Sequence, residues 1–166
     1  MADHSIKVVV DLVGERALES LFDHVEHIPD DWRDPFEKMA EDFWDQNKET
    51  FDAEGPGWKP LAQSTKWDRV YKGFPVAPIL VRTGALRDSL TGGFAKDSIF
   101  EVFPTRMEIG TSTPYAMYHQ TGNLKGKYPP GTHPPKRSPV VITSALQKKW
   151  DQRLVDWLRD EINYQG

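Results

Sequence analysis

Ser98-Ile99-Phe100-Glu101-Val102-Phe103-Pro104-Thr105-Arg106-Met107-Glu108-Ile109 is the stretch that decides the fold class. Ile99, Glu101 and Phe103 alternate with Ser98, Phe100 and Val102, and the alternation resumes from Arg106 to Ile109. A period of two sends successive side chains to opposite faces, as in a strand. Two such runs around Pro104-Thr105 predict a β-hairpin. The longer periodic stretches on either side are helical. Together they predict an α+β fold, a small, mainly antiparallel sheet packed against two long helices.

Upstream of the hairpin, Thr83 or Gly84 caps a short helix over Ala85–Leu90, and Gly92-Gly93 ends it. Residues 73–78 (GFPVAP) cannot form regular structure. A short helix is expected from Ala62 to Tyr71, with Trp67 and Val70 facing inward. Before the Gly55-Pro56-Gly57 stop, Trp32, Phe36, Met39, Ala40, Phe43, Trp44 and Phe51 recur at helical spacing. This is one apolar stripe on a helix of about 20 residues. Pro35 is tolerated in its first turn. Glu37, Glu41, Asp45 and Glu49 lie on the opposite face, which reads as a solvated one. Leu18, Leu21, Phe22 and Val25 predict a short amphipathic helix over roughly 15–27. Ile6, Val8, Val10 and Leu12 alternate within a β-branched run and predict a buried strand.

Downstream, Pro114 opens a helical turn holding Tyr115, Tyr118 and His119. Residues 122–137 contain three Gly, four Pro, four Lys or Arg and no acid, so a long basic loop is expected. Val140, Val141 and Ile142 read as a last short strand. Ser144 then caps a C-terminal helix whose buried stripe is Leu146, Trp150, Leu154, Trp157, Leu158 and Ile162.

The 166 residues suit one domain over 1–166. Its parts would be a strand with acidic helices (1–54), a β-rich core with the loop (57–142), and the C-terminal helix (143–163). Six Trp, eight Phe and five Tyr argue against a disordered chain. The absence of cysteine excludes disulfides and thiolate chemistry. No signal peptide or membrane span is expected. The net charge of −4 hides a division. Residues 1–54 hold 16 acids and 5 bases, and residues 55–166 hold 9 acids and 16 bases. A chain divided in this way can attract copies of itself head to side, or its two solvated faces differ only by chance.

No catalytic, cofactor or metal constellation emerges. His119 and His133 fit no metal spacing, and His24 and His27 make at most a weak pair. No nucleophile elbow or P-loop occurs. A small hydrolase using His119 and Asp88 has only residue types in its favour. The basic positions Lys125, Lys127, Lys136 and Arg137 leave three readings open: docking on a neighbouring subunit, non-specific contact with phosphate, or plain solvation.

Three ordered segments carry a family resemblance. They are Gly57-Trp58-Lys59-Pro60-Leu61 followed by Ser64-Thr65, then Ile79-Leu80 with Arg82-Thr83-Gly84-Ala85-Leu86-Arg87-Asp88-Ser89-Leu90, then Ile109-Gly110-Thr111 with Pro114-Tyr115-Ala116 and Tyr118-His119-Gln120-Thr121-Gly122. A Pro-rich basic run ending Pro134-Pro135-Lys136-Arg137 follows. Over about residues 57–142 the chain resembles the phage virion morphogenesis and tail completion family and the related neck proteins of long-tailed phages. It lacks that family's clean P-x-R-F ending, and its first 54 residues are unusually acidic and aromatic.

The resemblance implies a non-catalytic tail completion subunit, assembled in the host cytoplasm into a ring, a hexamer, at the head–tail junction of the virion. The implied partners are further copies of itself, the tail tube or terminator protein, head-completion or adaptor proteins below the portal, and DNA passing without sequence specificity. No membrane or cofactor is implied. Alternatives are a tail terminator, a head-closure connector or a non-specific DNA-binding module. The expected subunit-contact residues are Trp58, Leu61, Leu86, Tyr115, Tyr118, His119 and Gln120, with internal packing as the competing role. Gly84, Gly110 and Gly122 are expected to permit turns or close backbone approach.

Overall fold

A computed structural model describes residues 5–11, 30–122 and 135–165. Its elements are β1 (Ile6–Asp11), α1 (Arg33–Asp52), α2 (Gln63–Tyr71), α3 (Ala85–Leu90), β2 (Ser98–Val102), β3 (Arg106–Thr111), α4 (Ala116–Thr121) and α5 (Ser144–Gln165). The fold is α+β. The short helix expected near 15–27 lies outside the described residues, as do Leu12, Lys125, Lys127 and most of the expected basic loop.

The hairpin forms as its alternation requires. β2 and β3 pair antiparallel with Ser98 opposite Thr111 and Val102 opposite Met107. The Phe103 amide donates to the Arg106 carbonyl at 2.7 Å and closes the turn. β1 adds to the other side of β3, Ile6 opposite Thr111, so the sheet order is β1-β3-β2. Met107, Ile109 and Thr111 are buried on the inner face, while Lys7, Val9 and Glu101 face outward. Gly110 is required where β1 runs past β3. A Cβ there would lie 1.9 Å from the Ile6 carbonyl oxygen.

α1 packs on the inner side of the sheet, against β2, β3 and α3. Trp32, Phe36, Met39, Ala40, Phe43 and Phe51 are each at most 2 % exposed, as the stripe predicts. Burying each of the larger ones stabilises the fold by about 1.5–3 kcal/mol. α5 packs along α1 through Leu146, Trp150, Leu154 and Leu158, with Trp32 and Trp157 ring centroids 4.8 Å apart. A buried ion pair crosses this seam. Asp42 is buried and accepts from Arg153 Nε at 2.5 Å and from Lys149 Nζ at 2.7 Å.

Several expectations need correction. Ile162, assigned to the buried stripe, is exposed. Thr143, rather than Ser144, caps α5, its hydroxyl accepting from the Leu146 amide at 3.1 Å. Val140–Ile142 form no strand, because side chains meet their backbone groups where a neighbouring strand would. Gln120 takes both polar groups of Val140, and Gln46 donates to the Val141 carbonyl. Trp67 and Val70 point outward, at 66 % and 58 % exposure. The face that α2 buries is polar instead, and it carries Arg69.

Candidate functional site

The sequence segments that stand apart along the chain meet in space at a cleft of about 870 Å³. One wall comes from Lys59-Pro60-Leu61 and the exposed first turn of α2. Another comes from the 74–83 loop, and a third from Tyr115, His119 and the returning chain at Pro135 and Arg137.

Arg137 stitches two of these walls together. It is buried, with Nε donating to the Lys59 carbonyl at 2.8 Å and Nη2 to the Pro60 carbonyl at 3.1 Å. Its own amide donates to the His119 carbonyl at 3.1 Å. Trp58 adds a bond from its indole nitrogen to the Ser138 carbonyl at 3.2 Å. Gln120 then holds Val140 from both sides, donating to its carbonyl at 2.9 Å and accepting from its amide at 3.2 Å. The 137–140 backbone is thus bracketed between the Trp58 segment and α4. Arg137 therefore pins the chain that returns from the basic segment to the Trp58 segment.

Arg69 does the same for the third wall. Its Nη1 sits within 3.1–3.5 Å of the carbonyls of Pro75, Val76, Pro78 and Val81. It gathers an irregular loop that contains a cis Ala77-Pro78 bond and Leu80 at φ +63°. A bulky residue in the left-handed region is strained, and strain of this kind concentrates at functional surfaces. Sequence reading missed Arg69 because a single Arg on a short helix carries no signal of burial.

The electrostatics follow from these positions. Burial, and then the charge of Arg82, lower the Arg69 pKa; burial, and then Arg69, lower that of Arg137. Both remain cationic, as guanidinium does in proteins. Burial, reinforced by Arg137, pushes the His119 imidazole below its usual 6.5, which leaves it neutral at pH 7. Tyr115 stacks edge-on to His119, with ring centroids 6.2 Å apart. Burial pushes its phenol upward, and its oxygen meets Thr83 and the Leu86 backbone, tying α4 to the start of α3.

The expected contact residues divide between interior and surface. Trp58 and Leu86 are 8 % and 1 % exposed and pack in the core, the internal role that the sequence left open beside a subunit seam. Leu61, Tyr118, His119 and Gln120 are half-buried, and Tyr115 is exposed. Lys136 is exposed beside Gly122. Gly84 sits at φ +87° as the residue before α3, a conformation that favours glycine. Gly122 follows the last turn of α4 at φ +71°. Asp88 and His119 make no hydrogen bond or ion pair with each other. Among the described residues no group of three or more His, Asp or Glu is placed to hold a metal, and no helix is long and apolar enough to cross a membrane.

The most conspicuous outward feature is the opposite face of α2. Trp67, Val70 and Tyr71 form one stripe at 66 %, 58 % and 91 % exposure. Large apolar side chains grouped on one surface mark interaction sites.

The model of the phage virion morphogenesis family matches residues 13–158, which extends well beyond the three motif segments. No curated protein and no solved structure matches the chain.

Proposed function

Since this chain belongs to the phage virion morphogenesis family and so serves the building of a phage particle, we propose that it is a tail completion subunit, a non-catalytic ring component at the head–tail junction. Copies of the chain associate side by side into a closed ring, taken here as a hexamer. One rim meets the tail tube or terminator protein, the other meets head-completion proteins below the portal, and DNA passes through the opening.

The observation that carries this reading is the stripe Trp67, Val70 and Tyr71. An amphipathic helix normally turns its apolar face to its own core. Here the inner face is committed to Arg69, and the aromatic face has no partner within the described residues. Covering it with another protein surface removes that apolar area from water. Closed homo-oligomers are the commonest way for one chain to do so.

The test compares the wild-type protein with Trp67→Glu by light scattering and negative-stain imaging, alone and on isolated tails. Rings are expected for the wild type, and monomers with an unchanged circular dichroism spectrum for the variant. Phage carrying the variant should yield intact heads and unjoined tails. A wild-type chain that stays monomeric at high concentration and on tails would refute the reading, as would turnover by the pure protein.

A further inference from the structure

The cleft beside α2 holds more positive charge than the described residues neutralise. Arg69 and Arg137 are 6 % and 5 % exposed, and neither has an ion-pair partner among the described residues. Their contacts are backbone carbonyls, which fix the guanidinium planes but carry no net charge. Nε and Nη2 of Arg69 and Nη1 of Arg137 make no hydrogen bond there. Arg82 stands nearby over the Phe74 ring at 4.4 Å. Among the described residues, the one carboxylate in the lining, Asp68, is held by Lys72 at 2.5 Å and only approached by Arg82, at 3.8 Å. Ser64, Thr65 and Thr83 add hydroxyls to the same walls. Burying a guanidinium without a counter-ion is unfavourable by several kcal/mol. A site with two such groups, and a third, exposed guanidinium at Arg82, is built to receive an anion, and the fork geometry of Arg suits a carboxylate.

The complementary surface lies on the same chain. Glu37, Glu41, Asp45 and Glu49 are exposed along α1, and none makes an ion pair among the described residues. Residues four apart on a helix stand about 6 Å apart along its axis, so the row offers successive carboxylates at a regular interval. The charge division of the sequence, acidic before residue 55 and basic after it, gives each copy both halves of such a contact.

We propose that the cleft around Arg69, Arg82 and Arg137 is the seat for the acidic row of α1 from a second copy of this chain. This rests on the ring reading and names one of its contacts. The repeated contact is heterologous, row to cleft, the kind that closes a ring when the rotation between copies permits. Arg82 at the rim and Lys59 beside it are the exposed partners, and the two buried arginines supply the field that selects carboxylate.

The test leaves Arg69 and Arg137 in place, since they hold the loops. Arg82→Glu and Glu41→Arg are each expected to weaken self-association at least about tenfold at low salt, and the two together in one chain to restore much of it. Glu101→Lys, on the outer face of the sheet, is the control and should change nothing. Zero-length carbodiimide coupling of the wild-type protein, mixed from light and heavy isotope pools, should join Lys59 to Glu37, Glu41 or Asp45 between copies. Assembly by Arg82→Glu at wild-type strength would overturn the cleft contact and leave the ring reading intact. A link from Lys59 only to acids of its own copy would do the same. So would loss of short-duplex DNA binding in Arg82→Glu with assembly unchanged, which would assign the cleft to phosphate. Failure of the wild type to assemble at all would remove both readings.

Discussion

The hydroxyl of Ser89 lies 2.7 Å from that of Thr111 in the interior, and both residues are at most 1 % exposed. Ser89 closes the Thr83-Gly84 to Leu90 segment, and Thr111 closes the Ile109-Gly110-Thr111 segment. Thr113 joins them, its hydroxyl 2.8 Å from that of Thr111. Two motifs far apart in sequence are thus joined by a closed set of buried hydroxyls, which fastens α3 to the end of β3. Serine and threonine act here as mutual hydrogen-bond partners.

Thr111→Val keeps the shape but leaves Ser89, Thr113 and the Thr113 amide short of a partner. A loss of about 1–3 kcal/mol is expected, read from the urea midpoint. Ser112→Ala, at an exposed neighbour, should stay within about 0.5 kcal/mol. Equal midpoints for the two variants would mean that the hydroxyl set contributes nothing.

Gly110→Ala places a Cβ against the Ile6 carbonyl, where no flexible side chain can yield. β1 must move, at roughly 1–3 kcal/mol. Amide exchange should quicken in β1 first and leave the β2–β3 hairpin protected. Uniform exchange across all three strands would contradict the close approach.

Acid should loosen the α1–α5 seam. Burial pushes the Asp42 carboxyl upward, but the bonds from Arg153 and Lys149 outweigh it and hold the group below its ordinary 3.8. A depressed carboxyl contributes stability that is present above its unfolded pKa and lost as pH falls through the folded one. Asp42→Asn should cost roughly 2 kcal/mol at pH 7, below the range for a fully buried pair because Arg153 is partly exposed. It should also flatten the stability profile below about pH 4. An unchanged acid limb in the variant would show that another group governs it.

His119 gives a second pH signature. Its folded pKa lies below 6.5, through burial first and Arg137 second. The folded state therefore binds fewer protons, and this contribution is complete above about pH 6.5 and fades as pH falls toward the folded value. The imidazole resonance should titrate below 6.5, and His119→Gln should remove that part of the slope. Titration at or above 6.5 would place the ring in water.

Local pattern was enough to read most of the framework. Alternation around Pro104-Thr105 gave the hairpin, and the three-and-four spacing from Trp32 to Phe51 gave α1, because both periods depend only on neighbours along the chain. The same reasoning placed α3 between Gly84 and Gly92. It failed for α2, whose spacing is equally regular on two faces. Periodicity marks an apolar face without saying which side the rest of the chain will occupy. The burial of Arg69 and Arg137, the bracket on Val140 and the Ser89–Thr111 bond were likewise decided only by tertiary structure. Each depends on a polar group finding a partner across a fold whose distances the order of residues does not specify, and a buried polar group is stable only where such a partner exists.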